Sequence, residues 1–391
     1  FCNGTRWVTG HFWSGYDGED YYLEHGGPAS ICRTHDGLPW RENWDAVWRP
    51  SYAGCVGMPL TRALAVDFVK QVVAMGLDWV QFFDQNTGCS TFPCFAADHE
   101  HPPLPGRWMT DHMRGLVESL RDAAAETAGP ERPIVLSVEG PVNEYYLPYF
   151  QICDVRVLPP AHEPNHLMWR GSVPLYHFLY HELLLIQGGF GQGADPYHLA
   201  IRNAFNLVVG EIPGAVLKGD GQLLNVGRTD INWAPWEPAV GDNEQSLAML
   251  AAATALRRGP GRDFLVYGRM QRPAALEGVR TMQWQFERRA QSVPAIFHAA
   301  WRAPDGRLGL ALANWTAEPQ TLTLADARLG ASARLHVATA GVAARTVAVE
   351  AGRLTIELPA LSCALLESAR VDFSERETGH RPVSTKADRR G

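Results

Sequence analysis

The sequence predicts an α/β fold with parallel strands, followed by a smaller antiparallel β-sandwich. Three observations lead there. Between about residues 60 and 270, short apolar strand-like runs alternate with amphipathic helical stretches, the order that builds parallel βαβ units. No G-x-G-x-x-G or G-x-x-x-x-G-K-[ST] turn follows an early strand, which weighs against an open nucleotide-binding sheet. After the stretch 272–278 the texture changes to short alternating strands separated by turn signals such as Asp305-Gly306, the pattern of an antiparallel sandwich of about 90 residues.

In order along the chain, "RWVTGHFW" (6–13) is one strand candidate in an irregular Trp-, Tyr- and Gly-rich opening of 58 residues. Residues 60–76 have apolar positions near helical spacing, and Gly76 is a good stop. "DWVQFF" (78–83) is a strand, 108–129 a second helix ending at Gly129, and "PIVLSV" (133–138) a buried strand ending at Glu139. "DVRVL" (154–158) reads as a strand and 174–185 as an apolar segment of either type. Residues 196–210 and 243–259 read as helices, and "DFLVYG" (263–268) as a strand. Only six or seven parallel strands can be counted. The expectation is a (β/α)8 TIM-type barrel over residues 1–275, incomplete at its N-terminus or completed there in irregular form. A β-sandwich over 276–371 and a polar, disordered tail over 372–391 complete the expected chain.

Composition narrows the partners. Hydrophobic residues make up 46% and charged residues 20% of 391 positions, enough to bury a large core. A formal charge of −7 offers no basic stripe for nucleic acid, and no apolar run approaches the roughly 20 residues that span a bilayer. Thirteen Trp and 27 Pro suit sugar-stacking clefts, with Trp13, Trp40, Trp44 and Trp48 as candidate platforms or as core fillers. Seven Cys leave at least one unpaired. Cys89 and Cys94 are spaced to close a small loop disulfide, and no CxxC pairs point to zinc. The opening "FCNGTRW" has neither Met nor a signal peptide and reads as processed or as a fragment. Localisation is not read directly from it, and a secreted or periplasmic protein is the first expectation.

Two strands end in carboxylates, Asp84 and Glu139, with one helix between them. On the C-terminal face of a parallel barrel such groups share one cleft. A carboxyl pair is the minimal equipment for glycosidic cleavage, one donating a proton and the other attacking the anomeric carbon or activating water. Taken alone, Asp84 is a turn residue and Glu139 a helix N-terminal charge; as a pair on successive strands they favour catalysis, in either order of roles. Glu144 competes with Glu139. His99 and His101, flanked by Asp98 and Glu100, resemble a metal cluster, yet the i, i+2 spacing is not usual for zinc and no third ligand is evident. They fit better as donors to sugar hydroxyls, so no metal site is expected. His181 and Glu182 either line the same cleft or sit beside a helix.

The segments around Asp84 and Glu139, with "PLYHFLYHE", "VYGRMQRP" (266–273) and "APDGRLGLALANWTAEPQ" (303–320), resemble a largely uncharacterised family of bacterial TIM-barrel glycoside hydrolases related to endo-α-N-acetylgalactosaminidases. The resemblance covers roughly residues 55–325. It implies a retaining hydrolase acting on carbohydrate without a cofactor, with Asp84 as nucleophile and Glu139 as acid/base. It also places His99, His101, His181 and Glu182 in family segments. Substrate choice and oligomeric state do not transfer. A non-catalytic carbohydrate-binding protein and a metal-dependent hydrolase using Asp84, His99 and His101 are the competing expectations.

Overall fold

The computed structural model describes residues 6–8, 23–43, 50–83, 91–155, 174–188, 197–217, 223–226, 236–238, 243–286 and 289–370. Strand β1 (Arg6–Val8), helix α1 (Gly27–Ser30), β2 (Arg41–Asn43) and β3 (Pro50–Ala53) open the chain, the strands forming an antiparallel sheet in the order β1-β3-β2. Helix α2 (Pro59–Ala74) starts on Pro59, where a missing N–H costs nothing, and stops at Gly76, whose φ of 95° few other residues tolerate. β4 (Trp79–Phe83), α3 (Arg107–Ala128), β5 (Val135–Glu139), a 3-10 helix (Glu144–Tyr149), β6 (Ile152–Asp154), α4 (Leu175–Tyr180) and β7 (Leu185–Gln187) come next. β4 to β7 make a parallel sheet in sequence order. Val80, Leu136, Val138, Cys153 and Ile186 on one face pack with Val69, Val73, Met113, Leu116 and Leu120 of α2 and α3.

The structure departs here from the expected (β/α)8 barrel, and on the side after β7 rather than at the N-terminus. Beyond β7 an isolated parallel bridge joins Gln187 to Ile212, and after α5 (His198–Val208) the chain turns antiparallel in β8 (Val216–Leu217), β9 (Leu223–Val226) and β10 (Trp236–Pro238). Residues 218–222 between β8 and β9 are too few for the crossover of a dozen or more residues that parallel strands need. Among the described residues the parallel sheet has four strands and does not close. "DFLVYG" is also not a strand. After α6 (Asn243–Arg258) it forms the helical turn α7 (Arg262–Leu265), where Leu265 N–H bonds Gly261 O at 2.7 Å and Phe264 is buried.

The remainder is antiparallel: β11 (Arg269–Gln271), β12 (Ala275–Glu277), β13 (Thr281–Phe286), β14 (Arg289–Pro294), β15 (Ile296–Arg302), β16 (Arg307–Asn314), β17 (Gln320–Ala325), β18 (Ser332–Ala338), β19 (Val342–Ala348), β20 (Arg353–Leu358) and β21 (Ser362–Arg370). A six-stranded sheet, β11-β15-β16-β21-β18-β19, lies against a three-stranded one, β12-β17-β20, in a sandwich-like arrangement. The central strands β15 and β16 of the larger sheet are buried on both faces, while the edge strand β19 is exposed. Leu308, Leu310 and Leu312 of β16 face the smaller sheet, while Ala311 and Ala313 face Leu207, Ala253 and Leu256 of α5 and α6. Strand alternation thus appears as large against small side chains rather than apolar against polar. Gly309 is the extreme case, since an added Cβ would meet the Phe264 ring at 2.5 Å. Gly309→Ala is expected to cost about 1–3 kcal/mol through overpacking; an unchanged thermal midpoint would show that the ring moves aside freely. The tail expected over 372–391 lies outside the described residues.

Candidate active site

β5, β6 and β7 end level with one another. Glu139 is in register with Asp154, and Asp154 with Gln187. In-register residues of parallel strands point to one face, about 4.8 Å apart. The three form a polar row on the face opposite α2 and α3, at the carboxyl edge of the sheet, and are only 5%, 1% and 5% exposed. Ser137, two residues before Glu139 and on the same face, accepts the Trp79 indole N–H at 2.7 Å. The edge is tied by backbone bonds from Gly140 N–H to Asp154 O (2.6 Å) and from Val155 N–H to Gln187 O (2.8 Å). Gly140 adopts φ 79°, which lets the chain leave β5 sharply. Buried carboxylates on adjacent strands are costly unless satisfied or used, and the carboxyl edge is where parallel α/β sheets bind ligands.

Asp154 belongs to this row through a register that sequence did not show. "DVRVL" reads as a strand that begins at Asp154, which would put the carboxylate at the amino edge; the strand instead ends there. Asp84 follows β4 by one residue in sequence and lies outside the described residues, as do Cys89, Trp13, Trp44 and Trp48. Trp40 is half-buried against Phe92, with ring centroids 6.2 Å apart. Glu144 heads the 3-10 helix, exposed, and accepts from the Tyr180 hydroxyl, which holds its carboxyl below the usual range.

His181 and Glu182 follow α4 and precede β7, so the chain carries them toward the amino edge of that strand, not toward the polar row. Glu182 is exposed, 4.0 Å from Arg269. His181 is buried against Trp301, with ring centroids 4.6 Å apart, and its nitrogens face Gly268 O at 3.1 Å and Gly210 and Leu265 O at 3.2 and 3.1 Å. Burial pushes its pKa down to about 4 despite those carbonyls. The unfolded ring titrates near 6.5, so the stability this neutral ring contributes is complete above pH 6.5 and is lost as pH falls through about 4. At about 1.4 kcal/mol per unit, up to about 3 kcal/mol is at stake. Denaturant titrations between pH 7 and 4 should show this slope in the wild type and not in His181→Asn.

A buried pair that sequence missed lies nearby. Glu211 precedes the bridge residue Ile212, and its Oε1 accepts from His177 Nε2 at 2.6 Å. Asn206, with its amide nitrogen turned inward, donates to Oε2 at 3.0 Å. Gly188 makes room, since a Cβ there would lie 1.8 Å from Oε2. The one available signal was a carboxylate just after the helix-stopping Gly210. Glu211→Gln is expected to cost about 1–3 kcal/mol, the loss of a charge-assisted bond in a buried setting, read as a lowered urea midpoint at pH 7.

His99 and His101 are not at the polar row's strand ends. They lie in the loop between β4 and α3 beside Cys55 and Cys94, with their donor atoms within 4.8 Å of one another. Cys94 is a free, buried thiol.

Comparison with known proteins agrees on fold. Residues 8–191 match the family model described as a domain of unknown function (DUF6259). Residues 297–366 match that of the D-apionate lactonase C-terminal immunoglobulin-like domain. A maltogenic α-amylase from Thermotoga neapolitana superposes with a TM-score of 0.50 at 12% identity, covering 90% of this chain and 74% of that one. An Anoxybacillus α-amylase gives 0.49 at 12%, covering 93% and 75%, and a GH30 endoxylanase from Clostridium papyrosolvens gives 0.38 at 11%, covering 84% and 76%. The likeness to the Thermotoga neapolitana protein concerns fold alone. No curated protein matches the chain significantly. Among the described residues no helix is long and apolar enough to cross a membrane.

Proposed function

We propose that this chain is a glycoside hydrolase that cleaves an O-glycosyl bond in an oligosaccharide, polysaccharide or glycoconjugate. The observation that carries the reading is the buried Glu139–Asp154–Gln187 row at the carboxyl edge of the parallel sheet. In the proposed mechanism the enzyme is retaining. Asp84, one residue beyond β4, attacks the anomeric carbon; Glu139 protonates the leaving oxygen and then deprotonates the incoming water. Asp154 and Gln187 would bind sugar hydroxyls next to Glu139. This chemistry needs no cofactor. Residues 1–275 would form the catalytic region and 276–371 its β-sandwich support. The architecture shared with an α-amylase and the sequence resemblance to endo-α-N-acetylgalactosaminidase relatives support the class and set the first substrates to test. Screening aryl glycosides of both anomeric configurations, maltosides and α-N-acetylgalactosaminides included, is the direct experiment; turnover that survives removal of Asp84, Glu139 and Asp154 would overturn the reading.

Among the described residues the parallel sheet has four strands and stays open, which favours one competitor, a carbohydrate-binding protein on a degenerate barrel. It predicts saturable sugar binding by calorimetry with no turnover of any glycoside in the panel.

A further inference from the structure

We propose that Cys55, Cys94, His99 and His101 form a closed, tetrahedral zinc site that fastens the β4–α3 loop to the segment between β3 and α2. The inference is independent of the glycosidase reading. Donor atoms on a tetrahedron around zinc, with bonds of about 2.0–2.3 Å, stand roughly 3.3–3.8 Å apart. Here Cys55 Sγ and His101 Nε2 are 3.2 Å apart, Cys94 Sγ and His99 Nδ1 are 3.5 Å apart, and all four donors fall within 4.8 Å. Both sulfurs are fully buried and His99 is 9% exposed.

The surroundings aim these donors at one point. His101 Nδ1 faces the Pro102 carbonyl at 2.7 Å. A carbonyl can only accept, so Nδ1 carries the proton and Nε2 presents its lone pair to the cluster, the outer-shell arrangement of metal-bound imidazoles. The ring stacks on Trp108 at 3.8 Å and 9°, and Gly57 lies at the edge of that stack, where a Cβ would come within 2.5 Å of His101 and 3.2 Å of Trp108. Cys94 Sγ accepts the Arg33 backbone N–H at 3.4 Å, a contact that stabilises a thiolate. Cys32 Sγ instead donates to Phe92 O and stays outside the ligand set. Two thiolates and two neutral imidazoles match zinc's preference for nitrogen and sulfur, and oxygen-seeking magnesium or calcium finds no carboxylate in the set. Four protein ligands leave no open coordination position, so the site is structural. It would order a loop that has no regular secondary structure from residue 91 to 106 and that leads on from the segment carrying Asp84. The expectation of no metal site rested on missing ligands beyond His99 and His101. Cys94 lay five residues from His99, and Cys55 arrives only through the fold.

The test uses the full chain, reduced, reconstituted separately with zinc and with cobalt(II), and freed of loose metal. Plasma mass spectrometry should find about one zinc per wild-type chain and less than about a tenth of that in Cys94→Ser or His101→Asn. Because those variants can misfold, the wild type carries a second readout. Its cobalt form should show the intense visible bands of tetrahedral cobalt with a thiolate charge-transfer band. Zinc should also protect Cys55 and Cys94 from alkylation until a chelator is added. Substoichiometric zinc, a weak octahedral cobalt spectrum, preference for iron or copper, or a Cys55–Cys94 disulfide whose reduction restores no zinc binding would each overturn the proposal.

Discussion

Glu139→Gln is expected to lower kcat/KM for a glycoside with a poor leaving group by about 10²–10⁴, the usual worth of a positioned general acid. For an activated aryl glycoside kcat/KM should change little, because that bond breaks without proton donation. There kcat and KM should fall together, since the glycosyl-enzyme accumulates when no base activates water. Azide, which needs no base, should restore kcat and yield a glycosyl azide of retained configuration. Asp84→Asn should instead abolish turnover of every glycoside, with azide giving the inverted product. The same experiment weighs Asp154 against Asp84. If Asp154→Asn is the variant that azide rescues with inversion, the nucleophile is Glu139's neighbour in register and not the residue beyond β4. All variants should keep the wild-type unfolding midpoint within a few degrees.

The largest stability effect is expected at Trp301. Its side chain is fully buried on β15, and its indole N–H donates to Val208 O at 2.9 Å at the end of α5. The same ring lies against His181 and so close to Gly210 that a Cβ there would come within 2.8 Å of it. One indole from the six-stranded sheet therefore contacts the end of α5, the turn before Ile212 and the residue that leads into β7. Trp301→Ala should cost about 4–6 kcal/mol, combining the cavity left by the ring with the orphaned Val208 carbonyl. Trp301→Phe should recover most of the packing and leave only the unpaired carbonyl, roughly 1–3 kcal/mol. Equilibrium urea unfolding separates the two, and a cost below about 1 kcal/mol for Trp301→Ala would show that this contact does not couple the elements.

Local signals in the sequence determined much of the frame. Apolar spacing with a glycine stop marks α2 and α3, because a helix writes its own buried face at period 3.6. Short apolar runs mark β4 and β5, and Glu139 is visible as the polar terminus of one of them. The short runs and turn signals after residue 272 announce the antiparallel strands, because Gly, Pro and Asp mark where the chain reverses, whereas the pairing of β16 with β21 comes from the fold. Three things required tertiary structure. Asp154 joins Glu139 only through the register of β6, and a shift of two residues in an apolar run leaves no trace in composition while moving a carboxylate from one sheet edge to the other. The turn to antiparallel strands after α5 is decided by which edge the chain reaches, not by the apolar content of the strands. Cys55 meets Cys94, His99 and His101, and Glu211 meets His177, across dozens of intervening residues. Such convergence depends on long-range closure of the chain, for which side-chain periodicity holds no signal.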